Sequence, residues 1–557
     1  MSFKLEKKTY GWRYLLLLSF QCSPLYTVLA IGQKLVTGLV CVLLILLEAG
    51  FINQALSLHR GAASWQFLLP YLAGMTAMIV WKRMGYNLGR LCTVRVANTA
   101  EYQMREQVVK KCSRVPYRLL EDRTFQELKQ KILNDTEGII WTMLQQTGNF
   151  LNFMVRMSGV YLLLFLENAW LGSFILALTV PVVYFSVRNE QRSQEIFQQK
   201  KRYGVRVEYL NALLRGRQSV LERTLFSYTG YIKRKCEEWN EDFHKAHTEG
   251  VWQREGGAAV EAVVLNLVFT LAVMFQIALL ASGELSIGMF IALSAGIYDT
   301  ISFMYHGIDY TIMAMVSSMY FLENLTAFAA MPETEGACEL PSEQAEAFEE
   351  LEFKKVAFRY PRTAQYILKD LSFRIKKGEH CAFIGENGAG KTTIAKVLTG
   401  VYDNYEGSIL INGRELRDYA PETRKAMLAA VYQDSARYDE TVAVNIGLGD
   451  VRRLMHAEGQ VEEAARQLGI YESMRKLPQG FDTALGKQAG GGIELSDGQW
   501  QRIIMARLLV SPAQLWILDE PAAALDPVAE SSLYEQFGQI SQGRTTISIS
   551  HRLGSAR

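Results

Sequence analysis

Charge is scarce in this chain, and what there is nearly cancels. Lys and Arg number 59 against 57 Asp and Glu in 557 residues, charged residues make up 21%, and the formal net charge is +2. With no basic surplus, a nucleic-acid partner is not expected. Cysteine is thin as well. The seven, at 22, 41, 92, 112, 236, 338 and 381, form no C-x-x-C pair and no zinc spacing. That excludes a disulfide framework and suggests no metal site built from Cys and His. Those in cytosolic stretches are expected as free thiols. A cleavage site is also missing. Lys4, Lys7 and Lys8 ahead of Tyr14–Ser19 imitate a secretory signal, but the apolar pattern resumes at Leu25 and no small-residue cleavage site follows. An amphipathic helix leading into a first membrane span is expected instead.

What the chain has in quantity is apolar sequence, and it is unevenly spread. Mean hydropathy is near zero, yet the first 325 residues carry long apolar runs while the last 200 or so have the composition of a soluble α/β domain. Apolar helical spans are expected at 24–57, 64–82, 139–166, 168–188, 256–282 and 285–322, several of them longer than the ~20 residues that cross a bilayer. The polar segments near 83–135 and 189–255 are rich in Lys and Arg, whereas short loops such as 57–64 and 281–288 hold almost none. The positive-inside rule then puts the long segments, the N-terminus and the C-terminal domain in the cytoplasm. A stretch rich in Glu, Pro and Gly over 329–347 marks the boundary, with residues 326–350 as linker and 351–557 as the second domain.

The sharpest motif is Gly385-Glu386-Asn387-Gly388-Ala389-Gly390-Lys391-Thr392-Thr393. It follows the apolar run Cys381–Ile384 and precedes the helix-like Ile394–Leu398. Strand, glycine-rich loop and helix start are the setting of a P-loop, in which backbone N–H groups cradle phosphates. Lys391 is placed to reach the β- and γ-phosphates, and the Thr392 hydroxyl to hold Mg²⁺. The chain is therefore expected to bind ATP. Downstream, Leu515–Leu518 is an apolar strand ending in Asp519 and Glu520. Asp519 suits Mg²⁺ binding, and Glu520 sits where a base orients the attacking water.

Between these motifs stands Leu495-Ser496-Asp497-Gly498-Gln499, which resembles the L-S-G-G-Q signature of the ATP-binding cassette (ABC) ATPases. Other landmarks of that family fall in order. Tyr360 matches the aromatic that stacks on adenine, and Gln433 the Q-loop glutamine that contacts Mg²⁺. Asp526 matches the D-loop aspartate and His551 the switch histidine near the γ-phosphate. Six spans followed by one cassette resemble an exporter-type half-transporter of the type IV fold. The resemblance implies an α-helical membrane domain with cytosolic extensions, fused to an α/β P-loop ATPase. Short coupling helices are then expected near 117–131 and 216–231.

The resemblance also implies a pair of chains. Ser496, Gly498 and Gln499 would complete the ATP site of a second half-transporter chain, in a homodimer or a heterodimer. ATP-driven export through a bacterial inner membrane is the leading expectation. A metal-chelate importer of the same fold, siderophore uptake for example, and a nucleotide-gated channel or regulatory subunit are the alternatives. The stretch 492–501 is similar to that of bacterial exporters of peptides and lanthionine antibiotics. No N-terminal peptidase domain is expected, and the chain stops six residues after His551, where such domains usually continue. Asp497 departs from the signature glycine. It either faces a nucleotide phosphate or, as the preferred reading, caps the following helix.

Ionisable residues inside the expected spans, Lys34, Arg156, Glu261, His306 and Asp309, are candidates for a cargo pathway, since charge facing lipid is costly. His306 and Asp309 are three apart and share a helix face. The mixture of signs points to an amphipathic or zwitterionic cargo such as a peptide, while aromatic residues Tyr298, Phe303, Tyr305 and Tyr310 suit a hydrophobic one. Locking neighbouring helices is the competing role for all of them.

Overall fold

The computed structural model describes residues 4–62, 64–216, 219–303, 309–343, 346–453, 458–486, 491–521 and 527–550. Up to Ala330 the chain is helical: α1 (Trp12–Cys22), α2 (Pro24–His59), α3 (Leu69–Arg114), α4 (Tyr117–Leu120), α5 (Arg123–Glu167), α6 (Ala169–Arg215), α7 (Val220–Phe226), α8 (Thr229–Ser282), α9 (Ile287–Phe303) and α10 (Asp309–Ala330). The chain divides into two compact units, one of Met1–Val109 with Glu127–Ala330, the other of Lys110–Gln126 with Met331–Arg557.

The first unit turns the usual polarity inside out. On α2, Leu25, Val28, Leu29, Val36, Leu39, Leu43 and Leu46 are exposed, while Thr27 and Lys34 are buried. A surface of this kind suits hydrocarbon rather than water. Among the described residues, Pro24–His59, Gly138–Glu167 and Thr229–Ser282 are long and apolar enough to cross a membrane, with shorter apolar helices at Ala169–Pro181 and Ile287–Phe303. The expected span at 64–82 is less clean. It opens with a 3₁₀ turn at Trp65–Leu68, and Lys82 ends its apolar run. The sixth is described as α9 and α10, on either side of residues 304–308. At 54 residues, α8 is about 81 Å long, so it far outruns a hydrocarbon core of ~30 Å.

Close approach between α2 and α9 requires glycine. A Cβ at Gly288 would stand 2.3 Å from the Ala49 carbonyl oxygen. The Gly288 N–H instead donates to Asn53 Oδ1 at 2.9 Å, and Asn53 Nδ2 donates to Ser286 Oγ at 3.1 Å. Ile45, Phe153, Leu164, Leu265, Leu293 and Ile297 fill the core around this crossing.

The second unit is an α/β domain with, among the described residues, eight strands: β1 (Glu350–Phe358), β2 (Leu368–Lys376), β3 (His380–Ile384), β4 (Glu406–Ile411), β5 (Arg414–Glu415), β6 (Leu428–Val431), β7 (Leu515–Asp519) and β8 (Thr545–Ser550). They form an antiparallel sheet in the order β2-β1-β4-β5 and a parallel sheet in the order β3-β8-β7-β6. The helices are α11 (Lys391–Leu398), α12 (Pro421–Met427), α13 (Val442–Gly447), α14 (Glu458–Gln467), α15 (Tyr471–Arg475), α16 (Asp497–Val510) and α17 (Pro527–Ile540). Strand β7 is buried at every position, as expected of a strand covered on both faces.

The segment expected as the first coupling helix is shorter than the 117–131 read from sequence. It is the four-residue α4, which follows Pro116 and stops where Asp122 Oδ1 accepts from the Thr124 N–H at 2.8 Å and caps α5. The second expected coupling segment holds α7, ended by Ser227 in the left-handed region at φ 52°.

Candidate nucleotide site

Parallel strands put their C-terminal ends at one edge, and there the motifs converge. The P-loop follows β3, Asp519 closes β7, and Gln433 follows β6 by two residues. Register aligns Ile384 with Ser550, Asp519 with Ile549, and Leu518 with Val431. His551 and Asp526 lie outside the described residues.

The loop itself is open to solvent from Glu386 to Ala389. Gly388 and Gly390 have φ of 84° and 87°, a region that favours glycine. A Cβ at Gly390 would also stand 2.9 Å from Ile367 Cγ2. Lys391 Nζ curls back to donate to the carbonyls of Gly385 (2.7 Å) and Glu386 (2.8 Å). Thr393 turns inward: it is buried, and its hydroxyl lies 3.0 Å from Tyr360 Oη. Its side chain is therefore committed, which leaves its backbone N–H as the group able to face a phosphate. Tyr360 is half-buried, with its ring edge-on to Tyr402 at 5.4 Å.

The two motifs meet at Thr392, whose hydroxyl donates to Asp519 Oδ1 at 3.1 Å across 127 residues of sequence. Asp519 is 1% exposed, and its other oxygen, Oδ2, is buried with no hydrogen-bond partner among the described residues. Burial holds the Asp519 carboxyl above its ordinary range, with the neighbouring Glu520 adding to the rise and the Thr392 hydroxyl, Lys396 and Lys391 opposing it. An unpaired buried carboxylate oxygen costs about 1–3 kcal/mol or more, so the site is built for something that supplies positive charge. Glu520 follows with φ 51°, a left-handed backbone that a non-glycine residue adopts at a cost. Its N–H is fixed by the Ile549 carbonyl at 2.9 Å, and its own carbonyl accepts from Gln501 Nε2 at 3.4 Å.

The signature segment corrects the expectation for Asp497. The cap of α16 is Ser496, whose Oγ accepts from the Gln499 N–H (3.3 Å) while Gln499 Oε1 accepts from the Ser496 N–H (3.0 Å). This reciprocal capping box contributes about 1 kcal/mol. Asp497 is already the first helical residue. Its Oδ1 accepts from Arg437 Nη1 at 2.8 Å. Ser496 and Asp497 are exposed, and among the described residues no hydrogen bond joins Ser496, Gly498 or Gln499 to the P-loop.

Sequence reasoning missed a second cluster within this unit. Residues 110–126 bring Tyr117 edge-on to Tyr402 at 5.7 Å, and Tyr402 Oη donates to Glu121. Lys396, one turn beyond Thr392, lies 3.8 Å from Glu121 and within 6 Å of the Tyr117 and Tyr360 rings. Arg362 pairs with Asp122 and Arg118 with Asp403. No motif announces these residues, because each is ordinary until the fold joins them.

In the membrane unit, Lys34 is buried and donates to Asn149 Oδ1 at 2.7 Å. Arg156 is buried and pairs with Asp299 at 2.5 Å. Glu261 is buried too. His306 lies outside the described residues, and Asp309 opens α10 with a side chain outside them.

Comparison with known proteins extends the same picture to the whole chain. Residues 368–523 match the family described as ABC transporter, and residues 25–300 match the ABC transporter transmembrane region. The subtilin transport ATP-binding protein SpaT of Bacillus subtilis is 28% identical over 465 residues, covering 82% of this chain and 74% of that protein. The ATP-dependent lipid A-core flippase of Yersinia pestis is 26% identical over 546 residues, covering 91% and 89%. The flippase of Alkalilimnicola ehrlichii reaches 38% identity over 205 residues, 37% of this chain and 34% of its own length. A bacterial Atm1-family ABC exporter with ATP bound shares the fold, with a TM-score of 0.76 at 22% identity over 94% of this chain and 92% of that one.

Proposed function

This chain belongs to the ABC transporters, and on that premise we propose how its two units divide the work of ATP-driven export. It is an integral membrane protein that binds ATP and couples ATP hydrolysis to transport. The importer and channel alternatives find no support among relatives that are a flippase and a subtilin transporter.

The observation that carries the site assignment is the Thr392–Asp519 hydrogen bond with Asp519 Oδ2 left over. A hydroxyl and a buried carboxylate with a spare oxygen fit Mg²⁺, a hard cation that takes oxygen donors and arrives with phosphate. Thr392 and Asp519 would hold it, with Gln433 reaching in from the end of β6. Bound there, the ion would neutralise charge on the β- and γ-phosphates. The residues of the chain do the rest. N–H groups from Gly385 to Thr393 cradle phosphate oxygens, as nests and helix N-termini do. Lys391 exchanges its two loop carbonyls for phosphate. Tyr360 offers its ring to adenine. Glu520, its backbone fixed by Ile549, orients and polarises the attacking water, with His551 near the γ-phosphate.

Ser496, Gly498 and Gln499 serve the site of a second chain, identical or sibling. The exposure of Ser496 beside an intact helix N-terminus supports that reading. Hydrolysis removes the γ-phosphate contacts that hold two cassettes closed, and the resulting opening is passed to the membrane helices. The cargo is a hydrophobic, amphipathic or peptide molecule moved across a bacterial inner membrane. The relatives' names, a subtilin transport protein and a lipid A-core flippase, support a transported cargo.

Asp519→Asn tests the assignment. It should lower Mg²⁺-dependent ATP affinity about a hundredfold, measured by calorimetry on the full chain in lipid nanodiscs with and without EDTA. Equal Mg²⁺-dependent affinity in the variant would refute the metal role.

A further inference from the structure

A carboxylate at the first residue of the signature helix is an electrostatic problem if that helix faces phosphate, because like charges repel and the helix N-terminus otherwise attracts anions. The structure carries an answer that sequence does not show. Arg437 Nη1 lies 2.8 Å from Asp497 Oδ1, and its guanidinium lies 5.9 Å from the buried Trp500 ring on the next turn of α16.

Arg437 is held in place by its surroundings. The loop that carries it is bolted to the same helix by Arg507. That guanidinium donates to the Ala436 carbonyl (2.9 Å), the Asn445 carbonyl (2.8 Å) and Asn445 Oδ1 (3.0 Å), and sits 5.2 Å from the Tyr438 ring. Asn445, fully buried, ties the loop again through the carbonyls of Tyr438, Glu440 and Thr441. Both residues flanking Arg437 are thus anchored, so its backbone is fixed beside Asp497 and only side-chain rotamer freedom is spent in making the pair.

We propose that Arg437 is a positioning residue that neutralises Asp497, so that this chain's signature helix accepts the triphosphate of a second chain's ATP despite lacking the signature glycine. This rests on the reading of Ser496, Gly498 and Gln499 given above. In the single chain the pair is half exposed, at 49% and 67%, and such pairs contribute little to stability. Its effect appears only when nucleotide approaches and water leaves, where uncompensated negative charge is felt at lower effective dielectric. Arg437 also follows Gln433 by four residues, so the candidate Mg²⁺ contact and the signature neutraliser share one loop.

The test is a charge cycle on the full chain in nanodiscs, reading KM for ATP and kcat separately. Arg437→Ala should raise KM about tenfold with a smaller change in kcat, and the defect should shrink as salt is raised. Asp497→Gly alone should lower KM, and adding it to Arg437→Ala should restore KM to near the parent value. Arg437→Lys should behave like the parent, since it keeps the charge. The proposal is overturned if Arg437→Ala leaves KM unchanged, if the double variant is as impaired as Arg437→Ala, or if Lys fails as Ala does. The last two outcomes would indicate a packing role against Trp500. Absence of Glu520-dependent turnover from a two-cassette particle of the unaltered chain, prepared with any partner that co-purifies, would instead overturn the functional reading beneath the proposal; with turnover present, the KM pattern alone decides it.

Discussion

Buried charge is treated in two ways in this protein, and the buried cations of the membrane unit stand opposite the strand-end acid of the nucleotide unit. In the membrane unit the buried cations are met from within the chain. Lys34 finds Asn149 at 2.7 Å, and Arg156 finds Asp299 at 2.5 Å. In the nucleotide unit Asp519 is met on one oxygen by Thr392, and the other has no hydrogen-bond partner among the described residues. Burying an ion without a partner is expensive, so the contrast is informative. The Lys34 and Arg156 contacts join neighbouring helices, whereas half-satisfied Asp519 is the group we propose meets Mg²⁺.

The largest effect that sharpens this contrast belongs to Asp519. Alongside lost Mg²⁺-ATP binding, Asp519→Asn should not destabilise the nucleotide-free chain and should stabilise it near neutral pH. The sign follows from the raised carboxyl pKa. Stability tied to this group is present in full below the ordinary Asp value of 3.8 and is lost as pH rises through the raised one. An amide does not ionise, so its melting temperature should lose that dependence, as thermal unfolding between pH 4 and pH 8 would read. A lower melting temperature in the nucleotide-free variant would break the comparison.

Arg156→Ala should show the reverse pattern, destabilising without touching nucleotide. Because Asp299 remains half exposed, at 57%, the loss should be about 1–2 kcal/mol rather than the larger cost of breaking a fully buried pair. Unfolding of the detergent-solubilised chain measures it, and unchanged ATP affinity is the control. The smallest effect is expected at Lys34. Replacing it with Met removes its hydrogen bond to Asn149 and its contact with the Tyr86 ring but also the cost of burying a charge, and the net loss should be about 1 kcal/mol of stability. A change in cargo-stimulated ATPase beyond that would move Lys34 from lock to cargo pathway.

How much of this was legible in the sequence depends on how local the chemistry is. The P-loop is contiguous, and its glycines, Lys391 and Thr392 could be read directly. Asp519 was legible as a strand-end acid, but its bond to Thr392 depends on the order β3-β8-β7, which no stretch of sequence encodes. The misplaced cap was readable. Ser496 followed by Gln499 three residues on is a capping-box pattern, and it outranks an Asp one position too late. Arg437 was not readable, since 60 residues separate it from Asp497 and no motif includes it. The membrane unit was legible as apolar helices but not at every boundary. The 3₁₀ turn at Trp65–Leu68 and the Asp122 cap both displaced expected limits through local backbone geometry.

The most direct test of ATP-driven export by paired cassettes is hydrolysis in lipid nanodiscs by particles whose mass shows two cassettes, using the chain with any partner that co-purifies. The account predicts steady turnover that Glu520→Gln abolishes while ATP stays bound. Equal turnover in Glu520→Gln, or none from a two-cassette particle of the unaltered chain, would contradict it.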